Sequence, residues 1–378
     1  MHFETKTVHA GIKQDEHAGA VSAPIYLSTS FSRDAEGSIA PKGFYYTRAG
    51  NPNRESLEKR IAELELGVEA FAYASGMAAT LAVCHCVLSP GAHVIVSDDC
   101  YHGVAHLIKR IYPHWGVSFT EVDMTEPANV SAAIKSNTRL ILTETPSNPQ
   151  LKIADIERIS AIAKDKGIIV AADNTWATPC TIQPLTLGVD LVIHSSTKYF
   201  GGHSDVLGGC VVARNKGEIT ERLREFQIIG GAVPSPFDCW LILRGISTLA
   251  IRQGVQAKNA SAVAGFLNTQ PGIEKVFYPE LKSHPNHEVA VRLMKGNFGA
   301  MVSVLVKGGK IEAMKFANSL NLFRHATSLG GVESLVEHRL TAEGDNPKSP
   351  ENLIRISVGI ENINDLIDDL KQALKSLN

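Results

Sequence analysis

Cysteine is scarce in this sequence, with six residues among 378 and no C-x-x-C pair. Most of the six lie in apolar stretches, as Cys84, Cys86 and Cys210 do. Few, scattered thiols in apolar surroundings are typical of proteins from a reducing compartment, whereas disulfide-dense chains are secreted. We therefore expect reduced, buried thiols and a cytoplasmic protein.

An excess of charge of either sign is also missing, since the formal net charge is −2. Broad binding to nucleic acid or to an anionic membrane surface needs a basic excess, so neither partner is expected. No apolar run reaches the roughly 18 residues of a membrane span. The opening "MHFETKTVHAG" lacks the basic and then apolar pattern of a signal peptide. These absences favour a soluble protein that acts on small molecules.

The apolar residues that are present, 44% of the chain, are arranged in short runs that alternate with helical patterns. The predicted strands lie at 92–97, 117–123, 139–144, 167–173, 189–194 and 209–214. The predicted helices between and before them include 53–66 and 155–167, the second with Asp155 as its N-cap. Such alternation predicts an α/β fold with a central, mostly parallel sheet covered by helices on both faces.

The pattern changes after residues 230–238. A long helical stretch runs to about residue 268, and the elements predicted after it are strands at 273–277, 300–306 and 353–359 and a helix at 362–377. We expect three parts: an extended N-terminal arm over 1–50, an α/β domain over 51–236, and a smaller C-terminal α+β domain over 237–378.

Polar residues follow three of the predicted strands. Asp173 ends one strand, Asn148 follows another, and Ser195, Thr197 and Lys198 follow a third. In open α/β sheets, ligands bind beyond the carboxyl ends of the strands, so these side chains are expected to meet. A lysine amine can form a Schiff base with a carbonyl cofactor, and pyridoxal phosphate also needs an acidic partner for its pyridine nitrogen. The combination therefore indicates a pyridoxal phosphate site.

A phosphate cradle is expected at "ASGMAATLAVCHCVL" (74–88). Gly76 would permit a tight turn there, and the following helix would aim free N–H groups and its positive end at an anion. The hydroxyls of Ser195 and Thr197 and the guanidinium of Arg48 would add donors. Taken singly, each feature also has a structural interpretation, such as a helix cap or a surface lysine. Their joint occurrence on consecutive β/α units favours the cofactor site.

Seven segments carry a resemblance to a known family: 45–53, 74–79, 144–149, 173–179, 195–209, 327–335 and 355–361. They resemble the Cys/Met-metabolism family of pyridoxal-phosphate enzymes, which includes cystathionine synthases and lyases, methionine γ-lyase and sulfhydrylases. The resemblance covers essentially the whole chain. It implies an aminotransferase-like fold of type I and a homotetramer whose sites are shared between subunits.

The resemblance also implies roles for matching residues. Lys198 would hold the cofactor and then act as acid and base on the substrate, Asp173 would pair with the pyridine nitrogen, and Tyr101 would stack on the ring. The other cofactor contacts would come from Ser75, Gly76, Met77, Ser195 and Thr197 and, from a neighbouring subunit, Tyr46 and Arg48. The substrate's carboxylate would be held by Asn148, Ser328 and Arg355.

Two carboxylates that some family members use to bind substrate are missing from this chain. Family members that bind the distal ammonium of cystathionine carry glutamates where this chain has Tyr45 and Thr327. Their loss argues against a dedicated cystathionine γ-lyase or γ-synthase and leaves β-lyase, methionine γ-lyase-like and sulfhydrylase-like activities open. The segment 336–344 also departs from the family pattern, as do Gly103, His102 and Trp176. His325, His338 and Arg339 are candidates for an altered substrate pocket or for structural roles.

We interpret the sequence as a pyridoxal-phosphate-dependent carbon–sulfur lyase of the transsulfuration type, which eliminates a group at Cβ or Cγ of cystathionine or a related amino acid. The alternative is replacement at Cγ, as in cystathionine γ-synthase or an O-acyl-homoserine sulfhydrylase. A nicotinamide-dependent dehydrogenase is disfavoured, because no G-x-G-x-x-G follows the first strand. No metal is expected, because His102 and His106 have no further ligand cluster nearby.

Overall fold

The computed structural model describes residues 1–12, 15, 17–37, 43–343 and 348–377. The first sheet has seven strands: β1 (Glu69–Tyr73), β2 (His93–Ser97), β3 (Ser118–Val122), β4 (Thr138–Glu144), β5 (Ile169–Asp173), β6 (Leu191–His194) and β7 (Gly209–Ala213). They are ordered β1-β7-β6-β5-β4-β2-β3. Strands β6, β5, β4, β2 and β3 are adjacent and pair in parallel, and β7 runs antiparallel to both of its neighbours, β1 and β6. The predicted α/β class and mostly parallel sheet are confirmed.

Helices cover both faces of this sheet, as the alternation of β4 shows. Ile141 packs into one apolar core, while its neighbours Leu140 and Leu142 pack into another on the opposite face. The helices up to β7 are α1 (Phe3–His9), α2 (Pro52–Glu65), α3 (Gly76–Val87), α4 (His102–His106), α5 (Pro127–Ala133) and α6 (Ile156–Lys164). Residues buried on both faces make the strands continuously apolar, which is why they were recognisable in the sequence.

The second sheet has five strands: β8 (Ile273–Phe277), β9 (Met301–Val306), β10 (Arg324–His325), β11 (Leu335–His338) and β12 (Leu353–Ser357). Their order is β10-β11-β12-β9-β8, and all pairs except β10–β11 are antiparallel. The remaining helices are α7 (Glu218–Gly230), α8 (Pro236–Ile246), α9 (Leu249–Leu267), α10 (His287–Met294), α11 (Lys310–Asn318), α12 (Arg339–Ala342) and α13 (Ile363–Leu374). This sheet has an apolar core of its own. The domain boundaries at 50 and 236 stay predictions.

Three local predictions need correction. The helical stretch up to residue 268 is two helices, because α8 ends at Ile246 and α9 begins at Leu249. The N-terminal segment is not extended throughout, since α1 forms and packs against α2. Strands β1 and β11 were missed: β1 is rich in alanine, and β11 contains buried Glu337 and His338. Alanine and charged residues have low strand propensity, so tertiary burial decides both strands.

Among the described residues, no helix has the length and apolar character needed to cross a membrane.

Candidate active site

A cavity of about 220 Å³ lies where the ends of β4, β5 and β6, the start of α3 and the second sheet converge. All predicted site residues except Tyr45, Tyr46 and Arg48 line it: Ser75, Gly76, Met77, Tyr101, Asn148, Asp173, Ser195, Thr197, Lys198, Thr327, Ser328 and Arg355. The predicted convergence of the strand ends therefore occurs.

Lys198 enters this cavity from the turn that follows β6. Its Nζ donates a hydrogen bond of 2.7 Å to Ser328 Oγ. Burial, together with the positive charge of Arg355, lowers the pKa of Lys198 to about 8. Ser328 has a φ of 118°, a backbone conformation that side chains rarely adopt. The strained Ser328 thus brings its hydroxyl to the Lys198 amine. Because of its lowered pKa, this amine can lose its proton near neutral pH.

Two carboxyl groups lie side by side at the ends of neighbouring strands, because Glu144 of β4 is the register partner of Asp173 of β5. Asp173 accepts a hydrogen bond of 2.9 Å from the N–H of Thr175. Burial raises the pKa of both groups, and the proximity of Asp173 raises that of Glu144 further. A cation placed against Asp173 would favour its ionised form. Asp173 is therefore suited to receive a protonated ring nitrogen.

Tyr101 lines the cavity, and its backbone is held by Glu144. Its N–H donates to Glu144 Oε2 at 2.8 Å, so the unpredicted Glu144 fixes the loop that carries the ring. A Cβ atom on Gly103 would lie 2.6 Å from Cε1 of Tyr101. Position 103 thus has no room for a side chain while the Tyr101 ring keeps this place.

The start of α3 and the turn after β6 enclose the space expected for the phosphate, and the phosphate contact of Gly76 stays a prediction. Gly76 is the first residue of α3 and makes no left-handed turn. A Cβ there would lie 2.8 Å from Cβ of Ser195, so the glycine is needed for close approach of two backbones. Ser75 caps the helix by accepting from Ala78 N at 3.1 Å. Free N–H groups of α3 and the Ser195 hydroxyl therefore face one narrow space.

The guanidinium of Arg355 also lines the cavity. Arg355 donates to Asn148 Oδ1 at 3.1 Å, to Ser328 O at 3.2 Å and to Glu337 Oε2 at 2.6 Å. Its Cζ lies 5.9 Å from the centre of the Trp176 ring. A guanidinium has five N–H donors, so these contacts leave capacity for a substrate carboxylate. Arg355 was expected in this site, whereas Glu337 was not.

Of the three candidates for an altered substrate pocket, His325, His338 and Arg339, one lines the cavity. Arg339 lines it and donates to Glu337 Oε2 at 2.6 Å. His338 is buried and bonded to Glu351 O at 2.7 Å, and His325 is exposed and bonded to Asn318. Neither histidine lines the cavity, and residue 344 lies outside the described residues. The sequence offered one signal for Glu337, which is an acidic residue directly before the basic residues His338 and Arg339.

Three predicted site residues lie outside the cavity of their own chain. Tyr45 and Tyr46 are each 41% exposed. Arg48 donates to Ile228 O at 2.5 Å, and its Cζ lies 5.6 Å from the centre of the Tyr46 ring. None of the three lines this cavity. Elsewhere in the described part of the chain, no group of three or more His, Cys, Asp or Glu is arranged to hold a metal ion.

The family model described as "Cys/Met metabolism PLP-dependent enzyme" matches residues 4–375. The chain belongs to this family. Relatives named cystathionine gamma-synthase, from Mycobacterium tuberculosis, and cystathionine beta-lyase, from Coxiella burnetii, are 46% and 43% identical to it. The first alignment covers 98% of this chain and 96% of the relative, and the second covers 99% and 98%. The crystal structure of metB from Corynebacterium glutamicum is similar over 100% of this chain and 99% of that chain, with a TM-score of 0.97 and 44% identity.

Pyridoxal phosphate is the cofactor of this family, so this member is a pyridoxal-phosphate-dependent enzyme. The cavity fits such a group on its own evidence. The gap that a Cβ on Gly76 would fill adjoins the N-terminus of α3, which suits a phosphate. A buried amine with a lowered pKa and a buried acid lie in the same space. A phosphate site, an amine for the Schiff base and an acid for the ring nitrogen are the three features that the cofactor requires.

Proposed function

We propose that this family member is a carbon–sulfur lyase of the transsulfuration type, which acts on cystathionine or a related sulfur amino acid. The observation that carries the proposal is the double contact of Ser328. Its hydroxyl accepts from Lys198, and its carbonyl oxygen accepts from Arg355. An amino acid held through its carboxylate by Arg355 therefore has its α-carbon close to the Lys198 amine.

In this proposal Ser75, Gly76, Met77, Ser195 and Thr197 hold the phosphate, Asp173 holds the ring nitrogen, and Tyr101 covers the ring. When bound, pyridoxal phosphate supplies an electron-accepting ring that stabilises negative charge at the α-carbon of the substrate. Asn148 and Arg355 orient the substrate. Lys198, once free, accepts the α-proton, because its lowered pKa makes the neutral amine accessible near neutral pH.

Replacement at Cγ is the second candidate, and one observation favours it. Relatives 46% identical to this chain are named cystathionine gamma-synthase, against 43% for those named cystathionine beta-lyase. Elimination and replacement share the same proton transfers at Cα, so the residues described above serve both. They differ in whether a thiol captures the unsaturated product.

A methionine γ-lyase-like activity receives less support. Such enzymes often carry a cysteine at the position of Gly103, and a side chain there would collide with the Tyr101 ring. Thr327, one of the two positions that lack the expected carboxylate, also lines the cavity. This absence affects substrates with a distal ammonium, such as cystathionine, and not methionine. A sulfur amino acid would therefore be held mainly by its α-carboxylate.

We further propose a homotetramer in which each site is completed by a neighbouring subunit. The support is the position of Tyr46 and Arg48, which are remote from the cavity of their own chain although the family resemblance gives them phosphate contacts. A cytoplasmic location is proposed from the six free cysteines.

The deciding experiment supplies the cofactor-loaded protein with L-cystathionine and identifies the 2-oxo acid released. Pyruvate would show elimination at Cβ, and 2-oxobutyrate would show elimination at Cγ. Lys198→Ala is the matched inactive control. A parallel reaction with an O-acyl-homoserine and L-cysteine tests replacement. Formation of cystathionine without release of a 2-oxo acid in either reaction would replace the lyase proposal by the synthase.

A further inference from the structure

Two guanidiniums share one carboxylate oxygen at the substrate end of the cavity. Arg355 and Arg339 each donate to Glu337 Oε2 at 2.6 Å. All three side chains are almost fully buried, with relative exposures of 4% for Arg355, 2% for Arg339 and 4% for Glu337. Arg355, Glu337 and Arg339 form a row of cation, anion and cation that is shielded from solvent.

Glu337 and a substrate carboxylate compete for Arg355. A carboxylate that holds Arg355 alone would neutralise the guanidinium and oppose the binding of a second anion. In this protein the same oxygen also serves Arg339, so part of the attraction of Glu337 is directed away from Arg355. Burial opposes the ionisation of Glu337, but the guanidiniums of Arg355 and Arg339 outweigh it and lower the pKa of Glu337. Glu337 therefore stays ionised and both contacts persist.

The position of Arg339 is itself fixed from its other side. Its Nη2 lies 3.6 Å from Glu343 Oε1. Glu343 in turn accepts from the N–H groups of Lys348 and Ser349 and from the Ser349 hydroxyl. The hydrogen bonds satisfy Glu343, whereas Glu337 has two guanidiniums at contact distance. Arg339 is therefore held between Glu343 and Glu337, and Arg355 lies at the end of this network that lines the cavity.

We propose that Arg339 is a positioning residue for substrate binding: by sharing Glu337 with Arg355, it keeps the Arg355 guanidinium available to the α-carboxylate of the substrate. This inference rests on the proposed function, in which Arg355 holds that carboxylate. Arg339 lines the cavity, but in this inference it acts on the substrate through Glu337 and Arg355. It sets the affinity for the carboxylate common to all amino-acid substrates and leaves the chemical step to Lys198.

The test measures binding of butanoate, which has the carboxylate but no amine, to the cofactor-loaded enzyme by calorimetry and by competition with L-cystathionine. Arg339→Met should weaken butanoate about tenfold or more, because Glu337 then serves Arg355 alone. KM for the amino acid should rise in parallel, with a smaller change in kcat. Arg339→Lys should restore part of the affinity.

The double variant Glu337→Gln/Arg339→Met separates charge sharing from packing. With the competing carboxylate removed, the loss of Arg339 should no longer matter, and butanoate should bind within about threefold of the Glu337→Gln single variant. Butanamide, which is uncharged, and Arg158→Met, whose side chain is 76% exposed, are the matched controls. Unfolding midpoints of all variants exclude misfolding as the cause.

Unchanged butanoate affinity in Arg339→Met would overturn the inference. So would an equal loss in the single and double variants, because Arg339 would then act without Glu337. A failure of the proposed function looks different: butanoate affinity would be insensitive to Arg355→Met.

Discussion

At the scale of single residues, Lys198 is governed by burial and by two charges of opposite sign. Burial and Arg355 lower its pKa from 10.5 to about 8, and Glu337 acts in the opposite direction. Between these pH values the unfolded, cofactor-free chain binds the proton and the folded chain does not. The free energy of unfolding therefore gains from this group as pH rises from about 8 to 10.5, and the gain is absent below 8.

The same shift predicts how the cofactor-free protein captures pyridoxal phosphate. Only the neutral amine is a nucleophile, so the rate should rise with pH and reach half of its maximum near pH 8. Arg355→Met should move this midpoint upward, because the guanidinium that lowers the pKa is lost. Rapid-mixing absorbance would measure both rates, with Arg158→Met as the control. A midpoint near 10.5 in the wild type, or no upward movement in Arg355→Met, would contradict the assignment.

At the scale of elements, helix α3 and the turn after β6 approach so closely that only glycine fits between them. Gly76 faces Ser195, and Gly209 of β7 faces the carbonyl group of Ser75, which a Cβ would meet at 2.2 Å. The helix N-terminus is thereby set directly against the segment that carries Lys198. This packing places the anion-binding end of α3 in the cavity.

Gly76→Ala should therefore weaken cofactor binding by about tenfold or more, because the added methyl group displaces Ser195 or the start of α3. Gly254→Ala is the matched control, since Gly254 lies in α9 and a Cβ added there would meet no atom within 4 Å. That variant should bind normally and be more stable by roughly 1 kcal/mol, as alanine favours helices over glycine. Titration of the cofactor by fluorescence gives the dissociation constants. Equal affinity in the two variants would show that close packing at Gly76 is not required.

A second prediction at this scale concerns α1. Arg60 of α2 is fully buried and donates to the carbonyl oxygens of Val8, Ala10 and Leu243 and to the Ser247 hydroxyl. Burial lowers its pKa to about 10. Arg60→Met would leave these acceptors without a donor, at a cost of about 2–4 kcal/mol in the free energy of unfolding. Denaturant unfolding measures this cost, and a change below about 0.5 kcal/mol, as expected for Arg158→Met, would refute the anchoring role.

At the scale of the whole molecule, the cavity holds every proposed substrate ligand of one chain but only part of the proposed phosphate site. Tyr46 and Arg48 sit on an exposed surface. Other large apolar side chains are exposed on the N-terminal segment, including Leu27, which is 69% exposed. Exposed apolar residues of this size indicate a contact surface, which the proposed homotetramer would bury.

Shared sites predict complementation between two defective chains. Lys198→Ala and Arg48→Ala should each be impaired when expressed alone. Co-expression should restore activity to on the order of a quarter of the wild type, because random pairing places an intact Lys198 beside an intact Arg48 in some sites. Measured activity that does not exceed the sum of the two single variants would exclude a site completed by Arg48 of another subunit.

The sequence by itself determined the α/β class, most strands of the first sheet, and the meeting of Asp173 with Lys198. Those conclusions depend on local periodicity and on the rule that parallel strands end at one edge of the sheet. The resemblance added Ser328 and Arg355, which the structure places in the same cavity.

Only the tertiary structure decided the remaining features. The fit of Gly76 against Ser195, the support of Tyr101 by Glu144, and the sharing of Glu337 by two arginines all join residues on different elements. Such contacts depend on how strands and helices pack, and spacing along the chain carries no record of that packing. Burial and neighbouring charges then set the charge of each group, so the electrostatics of the site arise with the fold.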